Sequence, residues 1–462
     1  MKELAVVNPF DLKPIGSVSQ SSWVDVDRML DVAQKLYRNR KGWLPAHQRI
    51  SILEKAAVLM NERFEDLAFQ IANEGGKPLS DARVEVARAV DGVKLCAKEL
   101  LYLRGEEIPM GLTKAGSGRM AFTTREPIGP VVAVSAFNHP LNLIVHQVTP
   151  AIAVGAPVII KPAQDTPLSA LSYVNILYEA GLPEEWCQFV MCDIPTAQAM
   201  VTDSRTAFLS FIGSAKVGWM LRSKLAPGTR CALEHGGVAP VIVDRCADLD
   251  AMIPGLVKGG FYHAGQVCVS VQRVLVPQDM VDEVAQRIAQ KASLLQVGNA
   301  IEEGVDIGPL IRPKEVDRVE RWVEEARALG ATVVTGGERL GATTYAPTVL
   351  INPPKHAKVS KDEIFGPVVN VNGYNSLDQA IEMANELPFA FQTSVFTQDI
   401  DSAMRCARGL EAAAVMINDH TAVRVDWMPF AGYQHSGYGV GGMRYTMQDM
   451  APEKLVVLKL KS

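Results

Sequence analysis

Residues 207–218 read AFLSFIGSAKVG, and this stretch decides the fold that we expect for the chain. The mostly apolar run from Ala207 to Ile212 predicts a short strand, and Gly213-Ser214 then opens a helix. The free N–H groups and the dipole at such a helix start suit a pyrophosphate. Gly213 lets the backbone approach that ligand, and Ser214 can cap the helix. The motif is not G-x-G-x-x-G, so an ordinary strand-to-helix turn is the alternative.

The same rhythm extends to both sides of this stretch. Residues 158–160 (VII) predict a buried strand before a helix start at 166–167 (TP), and residues 188–192 predict a further strand. Strands and helices thus alternate from 140 to 245, and a second α/β series runs from about 239 to 440. Such alternation predicts an α/β fold built on a doubly wound parallel sheet.

The remaining segments have simpler patterns. Residues 24–104 carry apolar residues at helical spacing and predict three amphipathic helices, whereas 120–125 and 130–137 have the pattern of strands. The last ten residues, 453–462, end in an alternation of apolar and charged side chains. They predict a final strand that has no hairpin partner nearby in the sequence.

The composition is that of an ordinary globular enzyme. The 462 residues are 48% hydrophobic and 21% charged, and the net charge of −5 offers no basic field for nucleic acid. Seven scattered cysteines without C-x-x-C argue against a disulfide framework. Eight histidines without H-x-x-x-H spacing argue against a zinc site, so we expect no metal.

The hydrophobic pattern gives no sign of a membrane partner. The longest apolar stretch, residues 148–160, is too short to cross a bilayer and contains two prolines. The first residues lack the apolar core of a signal peptide. We therefore expect a cytoplasmic protein.

Two glycine-bearing segments about thirty residues apart carry the reactive groups. Residues 233–237 (LEHGG) place Glu234 after a strand, and residues 264–270 (AGQVCVS) place Cys268 in a turn. A thiol that attacks a carbonyl and a carboxylate that then activates water suit covalent chemistry on a carbonyl compound. Each residue alone has an ordinary alternative, because most lone cysteines are buried and inert and most glutamates are solvated.

Three further segments suit a nucleotide and a developing negative charge. Lys161 ends a strand at the sheet edge where nucleotides bind, with Gln164 close behind it, and a solvated lysine is the alternative. Asn138 follows a strand and can donate its amide to an oxyanion, or it can cap the next helix. Residues 363–367 (EIFGP) offer a carboxylate and an aromatic ring to a ribose and a nicotinamide, or they form a simple turn.

These motifs, in this order, resemble the aldehyde dehydrogenase superfamily from about residue 8 to the C-terminus. The resemblance is carried by the segments 126–130 (EPIGP), 137–138 (FN), 161–163 (KPA), 213–214 (GS), 233–237 (LEHGG), 265–268 (GQVC), 363–367 (EIFGP) and 429–432 (PFAG). It implies oxidation of a small aldehyde to its carboxylic acid through a thioester, with NAD or NADP as the cofactor. The alternatives are a coenzyme A-acylating dehydrogenase, a cysteine hydrolase and a non-catalytic protein on the same scaffold.

The resemblance also implies a role for each matched residue. Cys268 is the expected nucleophile, Glu234 the base for the deacylating water, and Asn138 an oxyanion donor together with the Cys268 backbone N–H. The expected cofactor contacts are Lys161, Gln164, Gly213, Ser214, Gly218, Glu363 and Phe365. Because Gln164 stands where glutamate is frequent, the choice between NAD and NADP stays open.

Two residues are the expected substrate contacts. Arg424 lies in residues 418–430, which resemble the substrate loop of members acting on small aldehydes with acidic tails. Its guanidinium can grip a carboxylate, phosphonate or sulfonate, although a surface arginine paired with Asp426 is the alternative. His139, next to Asn138, also points towards an anionic substrate.

The resemblance implies three structural parts. A Rossmann-type nucleotide-binding domain covers residues 1–112 and 131–235, and an α/β catalytic domain covers residues 236–435. A small β oligomerisation element combines residues 113–130 with residues 446–462. The C-terminal strand would extend the sheet of a neighbouring subunit, so we expect a homodimer or a homotetramer.

Overall fold

The structure, a computed structural model, describes residues 2–460. In that range the α-helices are, in chain order, α1 (Trp23–Arg38), α2 (Ala46–Glu62), α3 (Phe64–Gly75), α4 (Leu79–Glu99), α5 (Asn142–Val154), α6 (Pro167–Glu179), α7 (Ile194–Thr202), α8 (Ala215–Arg222), α9 (Leu249–Phe261), α10 (Val281–Ala292), α11 (Pro313–Ala328), α12 (Lys358–Lys361), α13 (Leu377–Asn385), α14 (Ile400–Gly409) and α15 (Met443–Met450). Short 3₁₀ turns are Arg40–Gly42, Leu100–Tyr102, Glu184–Trp186, Tyr262–Gly265 and Gln278–Met280.

The β-strands of the same range are shorter. In chain order they are β1 (Lys2–Val7), β2 (Pro14–Gln20), β3 (Glu107–Ile108), β4 (Arg119–Arg125), β5 (Val131–Val134), β6 (Val158–Lys161), β7 (Cys187–Phe189), β8 (Phe208–Ile212), β9 (Arg230–Glu234), β10 (Pro240–Val243), β11 (Arg273–Pro277), β12 (Thr332–Thr335), β13 (Thr348–Ile351), β14 (Val368–Tyr374), β15 (Phe389–Ala390), β16 (Gln392–Phe396), β17 (Ala414–Ile417), β18 (Phe430–Ala431), β19 (Tyr433–Gln434), β20 (Gly437–Tyr438), β21 (Val440–Gly441) and β22 (Glu453–Lys459).

The first large sheet has the order β20-β9-β8-β5-β6-β7, and its strands run parallel except β20. The five parallel strands lie side by side as β7, β6, β5, β8 and β9. If they are numbered by their order in the chain, this sheet order is 3-2-1-4-5, which is the Rossmann arrangement. Val131 and Ala133 of β5 pack into the core formed with α2 to α6, whereas Val132 packs against α1 on the opposite face. The predicted doubly wound sheet is therefore confirmed.

The second large sheet has the order β12-β13-β14-β11-β10-β16-β17, and only its edge strand β12 is antiparallel to its neighbour. It is also covered on both faces, since Val241 and Val274 pack against α9 and α10 while Ile242 and Leu275 pack against α13 and α14. The chain leaves the first sheet after Glu234 and enters the second at Pro240.

A third sheet, β22-β4-β3, contains the predicted C-terminal strand. All seven residues of β22 pair antiparallel with β4, which lies far earlier in the sequence. Met120, Leu455 and Leu458 of these strands are exposed. Residues 461 and 462 of the predicted strand lie outside the described residues.

Two predicted elements differ from the structure. Residues 24–104 form four α-helices rather than three, because Arg63 interrupts α2 and α3 and because Gly76 ends α3 with a φ of 69°. The strand predicted at 188–192 is β7, which ends at Phe189. None of the helices between residues 2 and 460 is long and apolar enough to cross a membrane.

Candidate active site

A cavity of about 910 Å³ lies at the carboxyl ends of β5, β8 and β9, beside the point where the strand order of the first sheet reverses. Segments before β11 and β14 and the loop 418–430 after β17 complete its walls. Ten of the twelve predicted site residues line the cavity: Asn138, His139, Gln164, Gly213, Ser214, Glu234, Cys268, Glu363, Phe365 and Arg424. The fold thus brings together residues from two sheets.

The other two predicted residues, Lys161 and Gly218, do not line the cavity. Lys161 ends β6, where its Nζ donates to the Pro162 carbonyl oxygen at 3.2 Å, and burial lowers the pKa of its ammonium group. Gly218 lies in α8 under the imidazole of His235, so that a Cβ at residue 218 would stand 2.0 Å from the His235 Cε1. Contact of either residue with a cofactor stays a prediction.

A sharply turned backbone presents the half-buried thiol of Cys268. His263, Ala264 and Gly265 have left-handed φ values of 47°, 55° and 69°, and a Cβ on Gly265 would stand 2.1 Å from the Gly366 carbonyl oxygen. Burial raises the pKa of the Cys268 thiol well above its usual range, and the carboxyl groups of Glu234 and Glu363 raise it further. The sulfur is therefore a neutral thiol in this arrangement.

The side chain of Asn138 points at the turn that carries the thiol. Its Nδ2 donates to the Gln266 carbonyl oxygen at 2.9 Å, two residues before Cys268. It does not cap the next helix, because α5 begins at Asn142 and the Glu85 carboxylate accepts the first N–H groups of that helix. The Asn138 amide and the thiol therefore face the same part of the cavity.

Glu234 is the last residue of β9, and its half-buried carboxyl group lines the cavity. Burial raises its pKa to about 7, while the positive charge of Arg424 acts in the opposite direction. The close approach of Gly441 leaves little room around this carboxylate, since a Cβ there would stand 3.2 Å from the Glu234 Oε2. A carboxyl group that titrates near neutral pH is suited to act as a base.

Glu363 and Phe365 also line the cavity. Burial raises the pKa of Glu363 to about 8, and its Oε1 has no hydrogen-bond partner among residues 2–460. The carboxylate fills the space in front of Gly236, where a Cβ would stand 1.7 Å from that oxygen. Phe365 packs edge-on against Phe137, with ring centroids 5.8 Å apart.

Arg424 is mostly buried rather than solvated, since 11% of its side chain is exposed. Its guanidinium carbon stands 3.5 Å from the centre of the Phe430 ring, and its Nη1 is buried without a hydrogen-bond partner in the described range. Burial lowers its pKa to about 10, which leaves the group charged at neutral pH. Of the alternative, a surface arginine paired with Asp426, the pairing is present as a long ion pair, with the Arg424 Nε 4.0 Å from the Asp426 Oδ1, but the surface exposure is not.

Asp426 has closer partners of its own. It accepts two hydrogen bonds from the Arg88 guanidinium, at 2.8 and 3.1 Å, and one from the His146 Nε2 at 2.7 Å. Although burial opposes ionisation, these bonds hold the pKa of Asp426 below its usual range. The negative charge of Asp426 is therefore paired mainly with Arg88. The positive charge of Arg424 remains available to a ligand in the cavity.

His139 also lines the cavity, where the charge of Arg424 acts on it. Its Nε2 stands 3.4 Å from the Tyr262 hydroxyl oxygen. Burial lowers the pKa of His139 well below its usual range, and the nearby charges of Lys77 and Arg88 lower it further. A neutral imidazole keeps one N–H donor, so contact of His139 with the substrate stays a prediction.

The whole-chain comparison agrees with this geometry. A model described as the aldehyde dehydrogenase family matches residues 1–456. The chain belongs to the aldehyde dehydrogenase family. A 3-sulfolactaldehyde dehydrogenase of Priestia megaterium is 36% identical over 460 residues, which are 99% of this chain and 95% of that protein.

Solved structures of aldehyde dehydrogenases have the same fold. Aldehyde dehydrogenase 21 from Physcomitrella patens, in complex with the reaction product succinate, has a TM-score of 0.95 and 36% identity, over 99% of this chain and 95% of that one. The glyceraldehyde-3-phosphate dehydrogenase of Methanocaldococcus jannaschii, complexed with NADP, has a TM-score of 0.94 and 34% identity, over 99% of both chains. The resemblance and the predicted α/β fold are confirmed.

Several polar residues of this aldehyde dehydrogenase cavity were not predicted from the sequence, among them Arg88, His146 and Tyr262. Arg88 had a usable signal, because Asp81, Glu85 and Arg88 recur at helical spacing along one face of α4. His146 carried none, since it stands among apolar residues of a helix, whereas Tyr262 lies six residues before Cys268 and beside its glycine-bearing turn, which is a local signal. Only the fold brings these side chains to the loop 418–430.

Proposed function

We propose that this aldehyde dehydrogenase oxidises a small aldehyde with an anionic group to its carboxylic acid, with NAD or NADP as the oxidant. One observation carries the proposal: Cys268, Glu234 and Arg424 line one cavity, with the Asn138 amide directed at the Cys268 turn. A nucleophile, a base, an oxyanion donor and a cation are thus within one site. A relative named for 3-sulfolactaldehyde supports the anionic group, and one named for lactaldehyde supports the small size of the aldehyde.

The reaction that we propose begins at sulfur. The Cys268 thiol releases its proton to water, and the sulfur electron pair forms a bond to the aldehyde carbon while the carbonyl π pair moves to oxygen. The Asn138 Nδ2 and the Cys268 backbone N–H donate hydrogen bonds to that oxyanion. NAD or NADP would supply the oxidant: as the oxyanion pair re-forms the carbonyl bond, the C–H bond of the substrate carbon would break and its hydride would pass to that cofactor, leaving the substrate on Cys268 as a thioester.

Hydrolysis releases the acid. Glu234 removes a proton from water, the water oxygen adds to the thioester carbon, and the carbon–sulfur bond breaks with its electron pair returning to Cys268. The carboxylate product leaves, and the protonated Glu234 returns its proton to solvent. A pKa of about 7 lets Glu234 take and release a proton at neutral pH.

The residues around Gly213 fit a dinucleotide. α8 begins at Ala215, and the N-cap residue Ser214 makes no side-chain capping bond. The first backbone N–H groups of α8 are therefore available to a pyrophosphate. The unpartnered Oε1 of Glu363 suits a ribose hydroxyl. We propose that Gln164 faces the adenosine ribose, where a neutral amide accepts either NAD or NADP.

We further propose the domain boundaries and the oligomer expected from the sequence. The two large sheets support a nucleotide-binding domain in residues 1–112 and 131–235 and a catalytic domain in 236–435. The outer edge of β22 is unpaired within residues 2–460, and Leu455, Val457 and Leu458 are exposed along that strand. Such an edge suits pairing with a second copy in a homodimer or a homotetramer.

A panel of aldehydes assayed with NAD and with NADP tests the function. The reduced nicotinamide absorbance should rise with at least one of lactaldehyde, succinate semialdehyde, sulfoacetaldehyde and propanal. We expect Cys268→Ala to abolish oxidation while NADH or NADPH still quenches tryptophan fluorescence. The matched control is Cys246→Ala, because Cys246 is exposed and outside the cavity. Full activity of Cys268→Ala would refute the proposal, and turnover that requires coenzyme A would favour acyl transfer instead.

A further inference from the structure

His139 and Tyr262 form a polar pair on the wall of the cavity. The Tyr262 hydroxyl and the His139 Nε2 are 3.4 Å apart, which is long for a hydrogen bond. Within residues 2–460 the Tyr262 hydroxyl makes no other hydrogen bond. Both groups therefore keep donor and acceptor capacity for a ligand.

The pair is uncharged. Burial lowers the pKa of His139 well below its usual range, and burial raises the pKa of Tyr262 well above its own. A neutral imidazole has one donor and one acceptor nitrogen, and a phenol both donates and accepts. A carboxylate or sulfonate can use only the donors of the pair, whereas an alcohol can use a donor and an acceptor together, so an alcohol makes fuller use of the pair.

The two residues of the pair are close in sequence to the residues that carry the reaction. His139 directly follows Asn138, and Tyr262 directly precedes the left-handed residues that lead to Cys268. The ring of Tyr262 is held by Lys258, whose Nζ is 5.0 Å from the ring centre and 2.5 Å from the Asp81 carboxylate. The strained turn and the contact of the ring with Lys258 restrict the Tyr262 hydroxyl to one position on the cavity wall.

We propose that His139 and Tyr262 bind a hydroxyl group on the carbon next to the aldehyde, so that the enzyme prefers 2-hydroxy aldehydes. This inference rests on the proposed function and extends it from the anionic end of the substrate to its middle. Arg424 binds the tail, the Asn138 amide binds the carbonyl oxygen, and the neutral pair selects the hydroxyl between them.

Lactaldehyde and propanal test the inference, because they differ only by the 2-hydroxyl and neither carries a charge for Arg424. The measured quantity is the ratio of kcat/KM for lactaldehyde to kcat/KM for propanal. The ratio is compared between the wild type, His139→Phe, Tyr262→Phe and the control Tyr433→Phe, whose hydroxyl is on the exposed surface. Comparison of ratios cancels the intrinsic reactivity of the two aldehydes.

We expect Tyr262→Phe and His139→Phe each to lower the ratio by about three- to tenfold, as for loss of one neutral hydrogen bond, and Tyr433→Phe to leave it unchanged. A merely structural role would lower kcat/KM for both aldehydes together and keep the ratio constant, which would overturn the inference. If the wild type oxidises propanal but the ratio is the same in every variant, the hydroxyl site is wrong and the function stands. If the wild type oxidises no aldehyde, the proposed function fails and the inference with it.

Discussion

The buried carboxyl group of Glu234 makes deacylation sensitive to pH near neutrality. Burial raises its pKa to about 7, and only the ionised form can take a proton from water. The rate of thioester hydrolysis should therefore increase with pH and level off above the pKa. The ionised fraction rises from about 9% at about pH 6 to about 91% at about pH 8, so we expect a roughly tenfold increase in kcat where hydrolysis limits turnover.

Stopped-flow absorbance of the reduced nicotinamide separates the two halves of the reaction. Formation of the thioester gives a burst, and hydrolysis sets the steady rate that follows. In Glu234→Gln we expect a burst of normal amplitude, a slow steady rate and no rise of that rate around neutral pH. A variant that keeps the wild-type steady rate and its pH dependence would refute the role of Glu234.

The charge of Arg424 gives a second check on the same titration. Because that charge lowers the pKa of Glu234, Arg424→Gln should move the midpoint of the kcat profile to higher pH. Propanal is the suitable substrate, since a neutral aldehyde does not need the cation. Arg28→Gln is the control, because Arg28 is exposed on α1. A midpoint that stays in place or falls would contradict the electrostatic argument.

Two further predictions concern the walls of the site. Asn138→Ala should lower kcat by on the order of 10² to 10³ through loss of an oxyanion donor, and an effect of less than a few-fold in steady-state kinetics would exclude that role. Gly218→Ala should raise the KM for the cofactor. A Cβ at residue 218 would stand 2.0 Å from the His235 Cε1 and would displace the imidazole, whose Nδ1 is hydrogen-bonded to the Gly213 carbonyl oxygen at 2.8 Å. The double variant with His235→Ala should recover much of that loss, whereas additive effects of the two changes would argue against the coupling.

Much of the fold could be predicted because strands and their turns leave local signals. The strand predicted at 207–212 is β8 from Phe208 to Ile212, and the strand predicted at 158–160 is β6 with one more residue. Breaks between helices were missed, because apolar spacing continues across Arg63. β7 ends early because pairing with β6 stops, although the Val190 N–H still bonds to the Ile160 oxygen at 3.0 Å.

The site was predictable where motifs are local and not where it depends on distant contacts. Cys268 and Glu234 stand in glycine-bearing turns that are visible in the sequence. The bond between Arg88 and Asp426 joins residues 338 positions apart, so no periodicity reports it. The protonation state of His139 could not be predicted from the sequence either, since its pKa is set by burial and by cations that the fold brings near.

The bond between Arg88 and Asp426 restricts how this enzyme can change its specificity. If the loop 418–430 were exchanged for that of a relative without the aspartate, Arg88 would keep a mostly buried charge with no counterion, which is strongly destabilising. A successful exchange would need a matching change in α4. New specificities would therefore be acquired by paired substitutions in two remote segments, and a loop transplanted alone would yield an insoluble or poorly folded chimera.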